Sequence, residues 1–211
     1  MVAHINTVAF QGTEALDVDV QVSILSGLPS FIIVSLPVKA VGESRERVRA
    51  DFGAIGLALP PKRVTVNLAP ADMLKEGSHL DLPIALGLLT AIDVIGADDM
   101  ADYAALGELG LDGALIPVAG VLLAAVKANA KHLGLICPQG NGAEAAWAGG
   151  GDVIAARPRS PIKGCCSSTN CRNSRAPCSM PCASRPKPDR SRSPGSTPMS
   201  AVRCAFSSSP R

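Results

Sequence analysis

Hydrophobic and polar side chains alternate along the second predicted strand of the chain. Val18, Val20, Val22 and Ile24 are separated by polar residues, and a period of two is typical of a strand with one buried face. The hydrophobic pattern as a whole predicts strands at residues 2–10, 14–25, 31–36, 63–69, 135–138 and 153–155. An Asp112-Gly113 pair between residues 103–111 and 114–118 predicts a hairpin.

Helical spacing of apolar residues appears elsewhere. Val41, Val48, Phe52 and Ile55 fall on one stripe of a predicted helix over residues 38–55. Asp81 is interpreted as the cap of the next helix, and the predicted helices after the first cover residues 81–96, 120–133 and 143–148. Because strands and helices mix without strict alternation, the pattern predicts an α+β fold.

Charge divides the chain into two predicted parts. Residues 1–156 carry a net charge of −8 and residues 157–211 one of +10, although the whole chain has a net charge of +2. The first part is long enough for one domain with an aliphatic core. The second part contains 13 Ser, 9 Pro and 6 of the 7 Cys and too few large apolar residues to fold, so we predict a disordered tail.

Three interpretations of the tail, residues 157–211, remain open. It is a basic nucleic-acid-binding segment, a metal or disulfide module, or the product of a frameshift in GC-rich DNA. The cysteines form no CxxC pair and have no nearby His, so zinc spacing is absent. We favour the frameshift, since mixtures of Arg, Pro, Ser and Cys are expected when such DNA is read out of frame.

The sequence shows neither a predicted transmembrane segment nor a predicted signal peptide. No apolar run reaches the roughly 18 residues that cross a bilayer, and the first ten residues lack the features of a signal peptide. Residues 1–156 contain a single cysteine, Cys137, which we interpret as a buried strand thiol. The sequence therefore predicts a cytoplasmic protein without a membrane partner.

Candidate chemistry is sparse in the first 156 residues. The sequence has no GxxxxGK[ST] loop for nucleotide phosphates. Ser78, His79 and Asp81 are too close in sequence to form a working triad, so a polar loop is favoured. Asp72, Glu76 and Asp81 could bind a hard cation, but Lys75 lies among them, and a solvated loop without metal is favoured.

Six cations form a candidate contact surface for nucleic acid or a protein partner. They lie on a predicted helix, at the start of a strand and in a loop, and could share one basic face. An ordinary charged surface is the favoured alternative. The six residues are Arg45, Arg47, Arg49, Lys62, Arg63 and Lys75.

Several segments, taken together, resemble one known family. They include the run Lys62 to Asp72 (KRVTVNLAPAD), the run Val41 to Arg49 (VGESRERVR), and the later segments KEG, DLPIA, LGEL and PVAGV. These motifs, in this order, are similar to the N-terminal domain of magnesium-chelatase-like AAA+ proteins of the ComM (YifB) type. The resemblance covers residues 1–156, and its motif residues are Asn67, Pro70, Asp72, Glu76, Gly77 and Asp81.

The resemblance implies a Lon-protease-domain-like fold, shared with a small-subunit ribosomal protein and GHMP kinases. It also implies a place beside an AAA+ ATPase module in hexameric DNA motors that assist recombination during natural transformation. The ATPase module, with its ATP and Mg, is expected to be missing here because the resemblance ends where the tail begins. The chain is then a truncated accessory domain without a cofactor. DNA is its expected partner, and homo-oligomers are expected of full-length relatives.

Lon-type proteases suggest one further alternative. They place a Ser before the helix that corresponds to residues 81–96 and a Lys in the helix after the hairpin. Alignment with the family puts Asp81 or Ser78 near the Ser position and Leu122 at the Lys position, with Lys127 more than a turn away. Without that cation a hydroxyl lacks an activating base. We expect a non-catalytic accessory domain, with a stand-alone nucleic-acid module or a degenerate peptidase as alternatives.

Overall fold

The two N-terminal strands that the hydrophobic pattern predicts are present, and they pair with each other. A computed structural model describes residues 2–73, 75 and 77–156. The predicted tail and Glu76 lie outside the described residues. Nine strands are assigned among those described: β1 Val2–Gln11, β2 Glu14–Leu25, β3 Ser30–Val34, β4 Arg63–Ala69, β5 Tyr103–Ala105, β6 Glu108–Leu109, β7 Leu115–Ile116, β8 Gly134–Pro138 and β9 Val153–Ala156.

Five α-helices connect the strands that the structure describes. They are α1 Val38–Ala54, α2 Asp81–Ala91, α3 Ala97–Ala101, α4 Val121–Ala130 and α5 Gly142–Ala146. Short 3₁₀ turns at Ser78–Leu80 and Gln139–Asn141 precede α2 and α5. Across the described part of the chain, no helix combines the length and apolar character needed to cross a membrane.

A seven-stranded sheet in the order β3-β4-β2-β1-β5-β8-β9 organises the fold, and β6 pairs with β7 separately. The pairs β1–β2 and β2–β4 are antiparallel, whereas the other four pairs in the large sheet are parallel. The predicted mixture of helices and strands is confirmed, but most pairings are parallel. The reason is local: α1 links β3 to β4 and α5 links β8 to β9, and helical crossovers join parallel strands.

The central strand β1 contributes to two hydrophobic cores. Ile5 belongs to a core that also contains Val20, Phe52 and Leu86, with helices α1 and α2 on that side. Val8 belongs to a smaller core with α4 and β8. Thr7 donates a hydrogen bond to the Ala105 carbonyl of β5 over 2.7 Å. Strand β1 therefore connects the two hydrophobic cores.

Most predicted boundaries agree with the structure to within two residues, but three elements differ. The helix predicted over residues 120–133 ends three residues early, at Ala130. The helix predicted over residues 81–96 ends at Ala91, because Asp93 adopts a positive φ of 58° that a helix cannot continue through. A separate helix, α3, then begins at Ala97. The Asp112-Gly113 hairpin is confirmed, but its strands β6 and β7 have only two residues each.

Candidate functional site

An ion pair joins the middle of α1 to the first turn of α2. Arg47 Nε lies 2.5 Å from Asp81 Oδ2, and its terminal NH2 group lies 3.4 Å from Oδ1. Side-chain exposure is 18% for Arg47 and 2% for Asp81. The sequence interpretation of Asp81 as a helix cap is wrong, because Leu80 occupies that position and Asp81 is the first residue of the helix. The Asp81 carboxylate instead binds a guanidinium from 34 residues earlier.

Burial and pairing act in opposite directions on this ion pair. Burial raises the pKa of Asp81, and the hydrogen bond and charge of Arg47 oppose that rise. Burial also lowers the pKa of Arg47, but the hydrogen bond and charge of Asp81 outweigh it, so the net pKa is raised. We favour an ionic pair at neutral pH, because a guanidinium stays protonated in proteins.

A small cavity of about 250 Å³ lies beside this pair. Ser78 donates a 2.5 Å hydrogen bond to Glu108 at its wall, which joins the 3₁₀ turn to β6. Ser44 of α1 is buried at this wall, and its hydroxyl acts with Arg47 to lower the pKa of the Asp81 carboxyl. The cavity lining is Leu36, Ala40, Glu43, Ser44, Arg47, Gly77, Ser78, Leu80, Asp81 and Glu108.

The backbone explains how distant residues meet at the cavity. Leu82 N–H donates to the Gly107 carbonyl, and Gly107 N–H donates to the His79 carbonyl, over 3.0 and 2.9 Å. These two bonds hold the 3₁₀ turn against the start of the hairpin, which brings Glu108 to Ser78. Sequence reasoning did not select Glu108 or Ser44 as site residues. Glu108 lies in the LGEL motif, and Ser44 in VGESRERVR, so motif membership was the available signal.

His79 is engaged away from the cavity. Its Nε2 lies 3.1 Å from the Val8 carbonyl, and its ring packs at 5.1 Å from that of Phe10. Burial lowers the pKa of His79, and the bond to Val8 partly opposes this. A Cβ at Gly77 would lie 2.7 Å from His79 Nδ1. His79 therefore packs as a buried ring, and these contacts favour the polar-loop interpretation over a triad with Ser78.

Lys75 lies inside the loop between β4 and α2. Its ammonium donates hydrogen bonds to the carbonyls of Pro70 and Met73, and the residue is 1% exposed. Burial lowers the pKa of Lys75, whereas the charge of Asp72 raises it. Lys75 is thus a bridge within the loop, and the prediction that it faces a partner is not supported by its position.

Two of the three loop carboxylates considered for a cation, Asp72 and Asp81, are among the described residues. Asp72 is exposed, Asp81 binds Arg47, and Glu76 lies outside the described residues. No cluster of three His, Cys, Asp or Glu suited to a metal ion occurs in the part of the chain that is described. The remaining motif residue on β4, Asn67, donates to Gln21 of β2 over 3.1 Å. Asn67 is therefore part of a polar row across the sheet.

The six predicted contact cations do not form one face. Arg47 and Lys75 are engaged internally, and Arg45 is partly buried, with its Nε unpaired among the described residues. Arg49, Lys62 and Arg63 are exposed. Arg49 makes a 3.5 Å ion pair with the exposed Glu46, and it lines a groove together with Lys62. Partner contact stays a prediction for these three exposed cations.

A second buried carboxyl belongs to Asp51 on α1. Its Oδ2 has no hydrogen-bond partner among the described residues, and burial raises its pKa to about 6. A Cβ at Gly113, in the hairpin turn, would lie 3.8 Å from Asp51 Oδ1. The hairpin therefore closes over this carboxyl. The predicted buried thiol, Cys137, is confirmed at 0% exposure, and burial raises its pKa to about 11.

A family model and several related proteins match this chain, and they point to the same family. The family model described as subunit ChlI of Mg-chelatase matches residues 20–141. The chain is 40% identical over 150 residues to protein YifB of Salmonella typhimurium, covering 65% of this chain and 30% of the relative. It is 41% identical over 137 residues to competence protein ComM of Haemophilus influenzae, covering 65% of this chain and 27% of the relative.

A mycobacterial relative extends the matched region. Protein Rv2897c of Mycobacterium tuberculosis is 37% identical over 152 residues, covering 72% of this chain and 30% of the relative. The chain therefore spans less than a third of the length of these curated relatives. The resemblance to ComM and YifB that the motifs predicted is confirmed.

Proposed function

Because the chain belongs to the family of the ChlI subunit of Mg-chelatase, we propose that it is a non-catalytic accessory domain of a ComM-like ATPase. In this proposal the domain supports assembly of a cytoplasmic protein that acts on DNA during natural transformation. Its proposed fold type is the Lon-protease-domain-like fold. The ATPase activity and its ATP and Mg belong to parts of such a protein that correspond to no motif in this chain.

The observation that supports an accessory role is that charged residues in the family motifs make contacts inside the protein. Arg47 binds Asp81, and Lys75 binds carbonyls of its own loop. These charged groups therefore join α1, α2 and the intervening loop to one another. A charge satisfied inside the protein is unavailable to a substrate unless the fold opens. The motif residues are thus suited to holding a rigid domain.

The contacts of Ser78 support the absence of peptidase chemistry. A serine nucleophile needs a nearby base, which in Lon-type sites is a lysine. Lys127 lies 3.6 Å from Asp17 of β2, and Lys75 donates to backbone carbonyls. Ser78 donates a hydrogen bond to Glu108 instead. The lysines that could activate Ser78 are therefore occupied by other partners.

Two assays on the purified chain test this proposal. We expect no hydrolysis of ATP and no cleavage of unfolded casein. Casein cleavage that Ser78→Ala abolishes, and that the exposed control Ser26→Ala retains, would establish the degenerate peptidase instead. For assembly, the chain should co-sediment with a full-length ComM-like relative, and failure to do so would remove the accessory role.

DNA contact is the second candidate, and one observation favours it. The three exposed cations Arg49, Lys62 and Arg63 lie near one another, because Arg63 follows Lys62 and Lys62 shares a groove with Arg49. Fluorescence anisotropy with labelled single-stranded DNA at several salt concentrations tests it. Each phosphate contact removed by Lys62→Ala or Arg63→Ala should reduce the salt slope by about 0.7. An equal effect of the exposed control Lys39→Ala would indicate non-specific attraction.

A further inference from the structure

The strand β3 forms one end of the seven-stranded sheet. It pairs with β4 on one side, and no other described strand lies on its second side. Its sequence, SFIIV, contains no charged residue and no proline. Charges, prolines and bulges are the usual means by which proteins protect an edge strand from further pairing. Among the described residues, the backbone groups along the outer side of β3 therefore pair with no further strand.

Exposed apolar side chains accompany this open edge. Ile32 and Val34 are 37% and 45% exposed and lie on the same face of β3, because alternate residues share a face. Leu28, just before the strand, is 88% exposed. Phe31 and Ile33 point to the opposite, core-facing side. If another strand paired with β3, its side chains on this face of the sheet would contact Ile32 and Val34.

A groove lies on the other face of the same strand. Its volume is about 440 Å³, within the usual range for ligand sites. Apolar residues from β3 and from the segment before β4 form much of it, and two cations contribute to its lining. The lining includes Pro29, Phe31, Leu57, Leu59, Arg49 and Lys62.

The charged side chains that line this groove are all positive among the described residues. No described Asp or Glu lines it. The exposed pair of Arg49 with Glu46 has a 3.5 Å separation, and such surface pairs contribute little stability, so Arg49 can exchange its partner. Arg63 is aligned with Ser30 in the parallel register of β3 and β4. Cations therefore flank the beginning of β3 on both faces, where they would attract carboxylates.

We propose that the edge of β3 and this groove dock an extended segment of a partner protein that carries acidic and β-branched apolar residues. The segment adds to the sheet as an eighth strand. Backbone hydrogen bonds to β3 provide the general affinity, and side-chain contacts provide the specificity, as in other strand additions. Carboxylates pair with Arg49 and Lys62 on the groove face, and apolar side chains cover Ile32 and Val34 on the other face.

The dimensions of β3 define the segment. A strand rises about 3.3 Å per residue, so the five residues of β3 match a segment of roughly five to seven residues. This inference goes beyond the proposed function, because it names a surface and a partner chemistry rather than an accessory role. Either can fail alone: an active peptidase would end the proposed function and leave this docking site untouched.

The test uses the full chain and three synthetic peptides of equal length. One alternates Glu with Val, one alternates Lys with Val, and one is the acidic peptide with alternate Val replaced by Pro. We expect the acidic peptide alone to bind, because the Lys peptide has the wrong charge and Pro removes the pairing N–H groups. The double variant Arg49→Ala, Lys62→Ala should weaken that binding by about tenfold or more, equivalent to about 1.4 kcal/mol, whereas Lys39→Ala should not.

Amide hydrogen exchange locates the binding without altering the protein. The acidic peptide should slow exchange in residues 30–34 and leave β9, at the opposite edge of the sheet, unchanged. Equal binding by the Pro or Lys peptide, or protection at β9 instead of β3, would overturn the proposal. So would peptide-free dimerisation that protects residues 30–34, which assigns the edge to a second copy, or displacement of the acidic peptide by single-stranded DNA at comparable concentration.

Discussion

The guanidinium of Arg47 lies 2.5 Å from the carboxylate of Asp81, and it is the principal polar link between α1 and α2. Removing one partner of a buried pair leaves an unpaired charge, which typically costs about 3–5 kcal/mol. Because Arg47 is 18% exposed, we expect Arg47→Ala to lower the free energy of unfolding by about 3 kcal/mol. Urea denaturation at neutral pH measures this loss.

The control is Arg49→Ala on the same helix, where the pair with Glu46 is exposed. This change should cost less than about 1 kcal/mol. Similar losses from the two variants would show that the pair with Asp81 contributes no more than an ordinary surface contact. The double variant Arg47→Met, Asp81→Leu should recover much of the loss, because apolar pairs of similar volume often replace buried ion pairs.

The pH dependence of stability should reveal Asp51. Its pKa is raised from 3.8 to about 6 in the folded protein, so the folded state binds more protons than the unfolded state between these values. The contribution of Asp51 to stability is therefore greatest at low pH, falls as the pH rises through this window, and is level above it. Asp51→Asn should stabilise the protein at neutral pH by about 1–3 kcal/mol.

Urea denaturation of both proteins at several pH values isolates this group, because other titrations cancel in the difference. The advantage of Asp51→Asn should disappear towards pH 4. The exposed Asp102→Asn serves as the matched control and should show no such change. A difference between wild type and Asp51→Asn that is independent of pH would mean that Asp51 is paired or solvated in solution.

Lys75 offers a test of the loop before α2. Lys75→Met keeps the length and apolar stem but removes the hydrogen bonds to the Pro70 and Met73 carbonyls. Hydrogen bonds made by a charged group contribute about 1.5–3 kcal/mol, so the free energy of unfolding should fall by about this amount, and amide exchange near residues 70–80 should become faster. The same substitution at the exposed Lys62 should change neither property. Unchanged exchange in Lys75→Met would exclude the bridging role.

Gly113 should tolerate alanine poorly. Its φ is 76°, and a Cβ there would lie 2.5 Å from Ala54 Cβ of α1. Gly12 has a similar φ of 62° but open space around the position of a Cβ. Left-handed backbone costs an alanine about 1–2 kcal/mol at either site, so the extra loss in Gly113→Ala measures the steric contact. Equal melting-temperature shifts for the two variants would show that the hairpin moves away from α1 freely.

The fold was more predictable than the site, and particular residues show why. The alternation of Val18, Val20 and Val22 is a local signal, and β2 has the bounds that it predicts. The link between Arg47 and Asp81 depends on two residues 34 positions apart, and no periodicity reports such a contact. Lys75 was interpreted as an exposed cation for the same reason, since its carbonyl partners become visible only when the loop is folded.

Strand β1 has a consequence for the order in which the protein forms during synthesis. Its partner β2 follows immediately, but the Ala105 carbonyl that accepts from Thr7 lies 98 residues later. We therefore expect β1, β2, β3 and β4 to pair in the nascent chain first. The edge of β1 that faces away from β2 stays unpaired until β5 has been synthesised. During that interval Val8, which later joins the second core, lacks the residues that bury it, so the first strand to be synthesised is among the last to be fully buried.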